Sequence, residues 1–165
     1  MIRKAFLAAA LALAAALPAA AHHDGDTYAK DTVRVSHAWT EETAEMAHAI
    51  DVYMTIENTG EEPVTLTAAE VDFAQAGVFQ AQVVGDDGTL RTREIKQVEI
   101  APGQSVTMQP GGLHIVFNDV QRTLNAGDHF HAHLRFAQVG ELEIEVEVEG
   151  DHDDHEHDHG HDELS

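Results

Sequence analysis

His129-Phe130-His131-Ala132-His133-Leu134-Arg135-Phe136-Ala137 and Glu141-Leu142-Glu143-Ile144-Glu145-Val146-Glu147-Val148-Glu149 decide the fold. Every second residue in both runs is apolar. Successive side chains of a β-strand point to opposite faces, so this period sends one set inward and the other out. Phe130, Ala132, Leu134 and Phe136 share the inner face. His129, His131, His133 and Arg135 share the outer one. Gly140 marks a tight turn between the runs. The outward glutamates of the second run also guard it against edge pairing.

The same alternation extends back along the chain. Val33, Val35, His37 and Trp39 form one face of an early strand, with His37 and Met54 expected to pack inward. Ala49 to Glu57 places Ile50, Val52, Met54 and Ile56 together. Asn58-Thr59-Gly60 turns the chain, and Pro63 to Val71 is extended. Val78 to Val84 and Leu90 to Ile95 flank Asp86-Asp87-Gly88, a hairpin-type turn. Val98 to Ile100, Ser105 to Met108 and Leu113 to Phe117 are short strands separated by Ala101-Pro102-Gly103 and Pro110-Gly111-Gly112. Nothing reads as a long helix. Eight or nine short strands with turns every ten or so residues predict an antiparallel β-sandwich over 32–149.

Residues 1–21 read as a secretory signal peptide. Arg3 and Lys4 precede an apolar run from Ala5 to Leu17, and Ala19-Ala20-Ala21 offers a cleavage site. The run is short for a membrane span, so none is expected after cleavage. Export predicts a periplasmic protein, with 22–31 a flexible start. Residues 150–165 form an acidic, histidine-rich tail expected to be disordered without metal.

The formal net charge is −21. Binding nucleic acid needs a basic face, so this composition argues against it. Cations or a basic protein suit the field better. There is no cysteine. The fold must rest on its core, and any metal site must use His, Met, Asp or Glu. Thirteen histidines make such a site the leading functional expectation.

Several landmarks, taken in order, resemble the PCu(A)C family of periplasmic copper chaperones. They are Val35-Ser36-His37-Ala38-Trp39, Tyr53 to Gly60, Asp86-Asp87-Gly88, Ala101-Pro102-Gly103, Pro110-Gly111-Gly112-Leu113-His114 and Leu124-Asn125-Ala126-Gly127-Asp128. The resemblance implies a cupredoxin-like Greek-key sandwich. It also implies copper as cargo, commonly Cu(I). A cytochrome oxidase subunit or a thiol assembly factor would then be the acceptor. Laid on this chain, the family's copper motif falls on Ala81, Thr92, His114 and Val116. Only His114 is a donor there. The soft thioethers that select Cu(I) are missing.

Other candidate ligands come from the residues themselves. His129, His131 and His133 recur along one strand face, with alternate Cα atoms about 7 Å apart. His22 and His23 follow the expected cleavage point, where a free amino terminus and its own imidazole can chelate Cu(II). Met46 and His48 form a weaker soft pair, and Met108 could lean toward His114. In the tail, His152, His155, His157, His159 and His161 are interleaved with acids. Imidazole and carboxylate together suit Zn(II), Cu(II) and Ni(II). Binding there should weaken below about pH 6.5. No nucleophile motif, phosphate loop or H-E-x-x-H is present, so an enzyme is not expected. The expected function is copper binding and delivery. A zinc or general divalent-metal buffer and a non-metal adaptor domain are the alternatives.

Overall fold

The computed structural model describes residues 26–45 and 47–150. The expected signal peptide, His22, His23, Met46 and the tail histidines lie outside the described residues. Eleven strands make up the fold among those described. They are β1 (Tyr28–Lys30), β2 (Val33–Glu41), β3 (Ala49–Asn58), β4 (Val64–Glu70), β5 (Val78–Val84) and β6 (Leu90–Ile95). β7 (Val98–Ile100), β8 (Ser105–Thr107), β9 (Leu113–Asn118), β10 (His129–Phe136) and β11 (Gly140–Glu149) complete it.

The strands run β6-β5-β9-β3-β2-β11-β10-β4-β7 in one hydrogen-bonded path. β1 adds to β2, and β8 adds to β3. The path wraps on itself as an all-β, barrel-like sandwich. β7 lies at its far end on β4, and the chain then turns to β8 on β3. That corner carries the far edge back to the middle of the sheet. All pairings are antiparallel except β2 with β11. Residues 22–31, expected to be loose, end instead in β1, where Tyr28 faces Val35 and Lys30 faces Val33.

Inward side chains of every long strand meet in a single core. Phe117, Phe136, Ile56, Leu134 and Ile144 are among its largest fully buried members. Each such side chain stabilises the fold by about 1.5–3 kcal/mol relative to exposure. With no disulfide available, this burial is the main source of stability.

β2 departs from simple alternation. Ser36 faces Thr55 but Trp39 faces Tyr53, so β2 carries one extra residue there. The bulge puts His37 at φ 56°, in the left-handed region. It also reverses the phase of the strand. Val33 and Val35 point inward, then Ala38 and Thr40 do. His37 is exposed rather than packed in the core. Met54, its expected companion, is buried.

Candidate metal site

Pro110-Gly111-Gly112 positions His114. The Gly112 N–H donates to Gln109 O at 3.0 Å, and Gly111 adopts φ 72°. Proline at the second position and a positive-φ glycine at the third are the marks of a type II turn. The Gln109 N–H closes the loop onto Leu113 O at 2.9 Å. The next residue, His114, is therefore locked at the mouth of β9.

The imidazole of His114 is 9% exposed. Its Nδ1 lies 3.0 Å from Gly112 O. A carbonyl can only accept, so Nδ1 carries the proton, and in the neutral ring Nε2 keeps its lone pair. This is how metal-binding histidines are held, with one nitrogen oriented by the backbone and the other free to coordinate.

Strand registers align an outward row through this residue. His129 is opposite Glu147, Glu147 is beside Trp39, and Trp39 is opposite Tyr53. The β3–β9 register, with Val52 opposite Ile115, brings Tyr53 beside His114. Gln80 and then Glu94 extend the row through β5 and β6. Trp39 and Tyr53 have ring centroids 4.6 Å apart, and Tyr53 and His114 6.3 Å apart. Burial pushes the Tyr53 phenol up to about 12, with the negative charges of Asp51 and Glu41 and a hydrogen bond to Asp51 adding to the effect. Neither aromatic was expected beside His114. The signal was present only as landmark residues, because adjacency across strands is not encoded locally.

His129 and His114 thus share a face but not a site. Four strand spacings of about 4.8 Å put them roughly 19 Å apart along the sheet. His129, His131 and His133 do project outward together as expected. Each has Nδ1 near a different glutamate of β11, at 3.5 Å from Glu145, 3.4 Å from Glu143 and 3.3 Å from Glu141 respectively. Among the described residues, no three His, Asp or Glu side chains are already arranged around one ion position.

Trp39 also lines an open groove of about 520 Å³ with Glu41, Glu42, Thr43, Ala44, Glu149 and Gly150. The groove lies where the described chain ends, next to the start of the acidic, histidine-rich stretch.

The model of the LpqE-like lipoprotein family matches residues 33–148. The chain belongs to that family. No curated protein matches the sequence. Three solved structures carry the same fold. A copper-bound PCuAC domain from PmoF2 is 22% identical with a TM-score of 0.66, covering 76% of this chain and 98% of that one. An apo PCuAC domain from PmoF1 is 24% identical with a TM-score of 0.66, covering 76% and 99%. Cu(I)-DR1885 from Deinococcus radiodurans is 19% identical with a TM-score of 0.57, covering 80% and 86%. The PCu(A)C resemblance read from the landmarks therefore holds for family and fold.

In this LpqE-like chain the surroundings of His114 differ from a thioether site. Thr92 is opposite Gln82, and Gln80 is opposite His114, so these three polar residues share its face. Ala81 does not. Its partners are Leu113 and Arg93, which places it on the other face of β5. Val116, two residues after His114, offers no donor. Met54 and Met108 are buried in the core at 1% and 2% exposure, and Met108 does not lean toward His114 as expected. His48 is exposed.

Proposed function

We propose that this domain is an exported, non-enzymatic copper carrier that binds its cargo through imidazole rather than thioether. His114 carries the reading. Its Nδ1–H is tied to Gly112 O, leaving Nε2 free on a buried ring at the family's motif position. One imidazole flanked by amide, hydroxyl and apolar groups matches Cu(II) better than Cu(I). The free amino terminus with His22 and His23 would add nitrogen donors, and the tail histidines would raise the local copper concentration.

In this reading residues 1–21 direct export to the periplasm. No helix among the described residues is long and apolar enough to cross a membrane. Delivery toward cytochrome oxidase assembly, through an oxidase subunit or a thiol assembly factor, is the onward step. Zn(II) buffering is the second reading, favoured by the absence of a soft donor beside His114.

Trp39 is the only tryptophan and lies two ring contacts from His114. Bound Cu(II) should quench its fluorescence. Titration of the mature protein should show saturable quenching that His114→Ala abolishes. Equal quenching in the variant would refute His114 as the anchor. A response to Zn(II) but not copper would favour the buffer.

A further inference from the structure

We propose that His131, His133 and Glu143 form a second metal site, for a divalent ion of the Zn(II) class, on the outer face of the β10–β11 hairpin. This stands on its own geometry and does not depend on His114. In the Cα register His131 is opposite Glu145 and His133 is opposite Glu143. The side chains slip diagonally by one step, as long side chains on a twisted sheet can. Glu143 therefore falls between two imidazoles. Its Oε1 is 3.4 Å from His131 Nδ1, and its Oε2 is 3.8 Å from His133 Nε2.

Such separations suit neighbouring donors of one ion. At a metal–ligand distance of about 2.0–2.1 Å, tetrahedral ligands stand roughly 3.3–3.4 Å apart. The donors have open space in which to close the small remainder, with side chains 61%, 58% and 40% exposed for His131, Glu143 and His133. They do not already enclose an ion position, so the ion must draw them together.

Two further observations support the site. His133 Nδ1 is buried without a hydrogen-bond partner and lies 3.3 Å from Glu141 Oε1. A small rotation on metal binding at Nε2 would let Nδ1–H donate to that carboxylate, the way a metal-bound imidazole is commonly held. The surroundings are also strongly negative. Glu70 on β4 is opposite His133, and Glu145 and Glu147 continue along β11. Arg135 is the one cation on this face of β10, and Glu70 and Glu141 already engage it at 3.5 and 3.6 Å. Two imidazoles and a carboxylate, with a fourth position for water, match Zn(II) and Cu(II) and exclude a preference for Cu(I).

An ion held this way links neighbouring strands, so it raises the unfolding temperature. Stoichiometry alone would not report it, because other histidines of the full chain are candidate zinc ligands too. The test is thermal unfolding of the mature full-length protein against Zn(II), with NMR of the histidine rings. At a zinc concentration about a hundredfold above Kd, Tm should rise by roughly 5–10 °C. The His131 and His133 ring signals should shift together. His131→Ala/His133→Ala should remove most of the rise, and Glu143→Gln should weaken zinc binding about tenfold or more. If the double variant fails to fold, Glu143→Gln and the ring signals decide. His114→Ala should leave the joint zinc-induced shift of the His131 and His133 ring signals intact, even where copper quenching is lost. An unchanged Tm rise in Glu143→Gln, or unmoved His131 and His133 signals, would overturn the site.

Discussion

His114 and Tyr53 show how single residues are conditioned by their neighbours. A backbone carbonyl sets the tautomer of the neutral His114 ring, so its donor nitrogen is available without the ring having to reorient. Tyr53 flanks that ring and is kept neutral by burial and by nearby carboxylates. Its phenol ionises at about 12 in the fold against an ordinary 10.0. Below pH 10 both folded and unfolded chains hold the proton, and the contribution to stability is constant. As pH rises from 10 through 12 the unfolded chain releases its proton first, so stability falls. Denaturant midpoints measured across that range should drop in the wild type. Tyr53→Phe should flatten this part of the profile, and an unchanged slope would place the loss elsewhere.

Elements are shaped by the bulge in β2 and the close contact before β5. His37 occupies a left-handed conformation that costs an ordinary L-residue about 1–2 kcal/mol. His37→Gly should therefore be neutral or stabilising by up to about 1 kcal/mol, while a β-branched valine should destabilise by about 1–2 kcal/mol. Urea unfolding distinguishes the two, and equal midpoints would remove the strain from the account. Gly77 is constrained by space instead. A Cβ there would lie 2.7 Å from Ile115 Cγ2 and 3.0 Å from Phe117 Cε1. Gly77→Ala should cost about 1–3 kcal/mol in the same assay, because a packed core accepts an added methyl only by shifting.

At the scale of the molecule, charge and separation dominate. A net charge of −21 opposes compaction, and salt screens that repulsion. Raising NaCl should raise Tm. Deleting 151–165 removes seven acids and five histidines. The deletion should reduce the salt dependence and the zinc stoichiometry. It should leave the low-metal Tm nearly unchanged, since Leu164 is the stretch's one large apolar residue. Calorimetry with and without salt checks this, and a large fall in Tm would mean that the stretch packs on the sandwich. The four strand spacings between His114 and His129, about 19 Å along the sheet, with no shared partner among the described residues, also predict additive effects for variants at the two places.

Local chemistry made much of this legible in the sequence. Strict alternation identified β10 and β11, and Asp86-Asp87-Gly88 set β5 at Val78–Val84 and β6 at Leu90–Ile95, as observed. The Pro-Gly-Gly turn marked His114 as the residue at a strand mouth. Period-two patterning and turn chemistry act between near neighbours, so they survive without knowledge of the rest of the chain. Pairing between distant strands does not. Only the tertiary structure showed the β2 bulge that turns His37 outward and the parallel β2–β11 pair that brings Trp39 beside Glu147. Only it moved Ala81 off the His114 face and set Glu143 between two imidazoles. Residue types and strand phase were determined locally, whereas which donors meet was decided by register, a property of two strands at once.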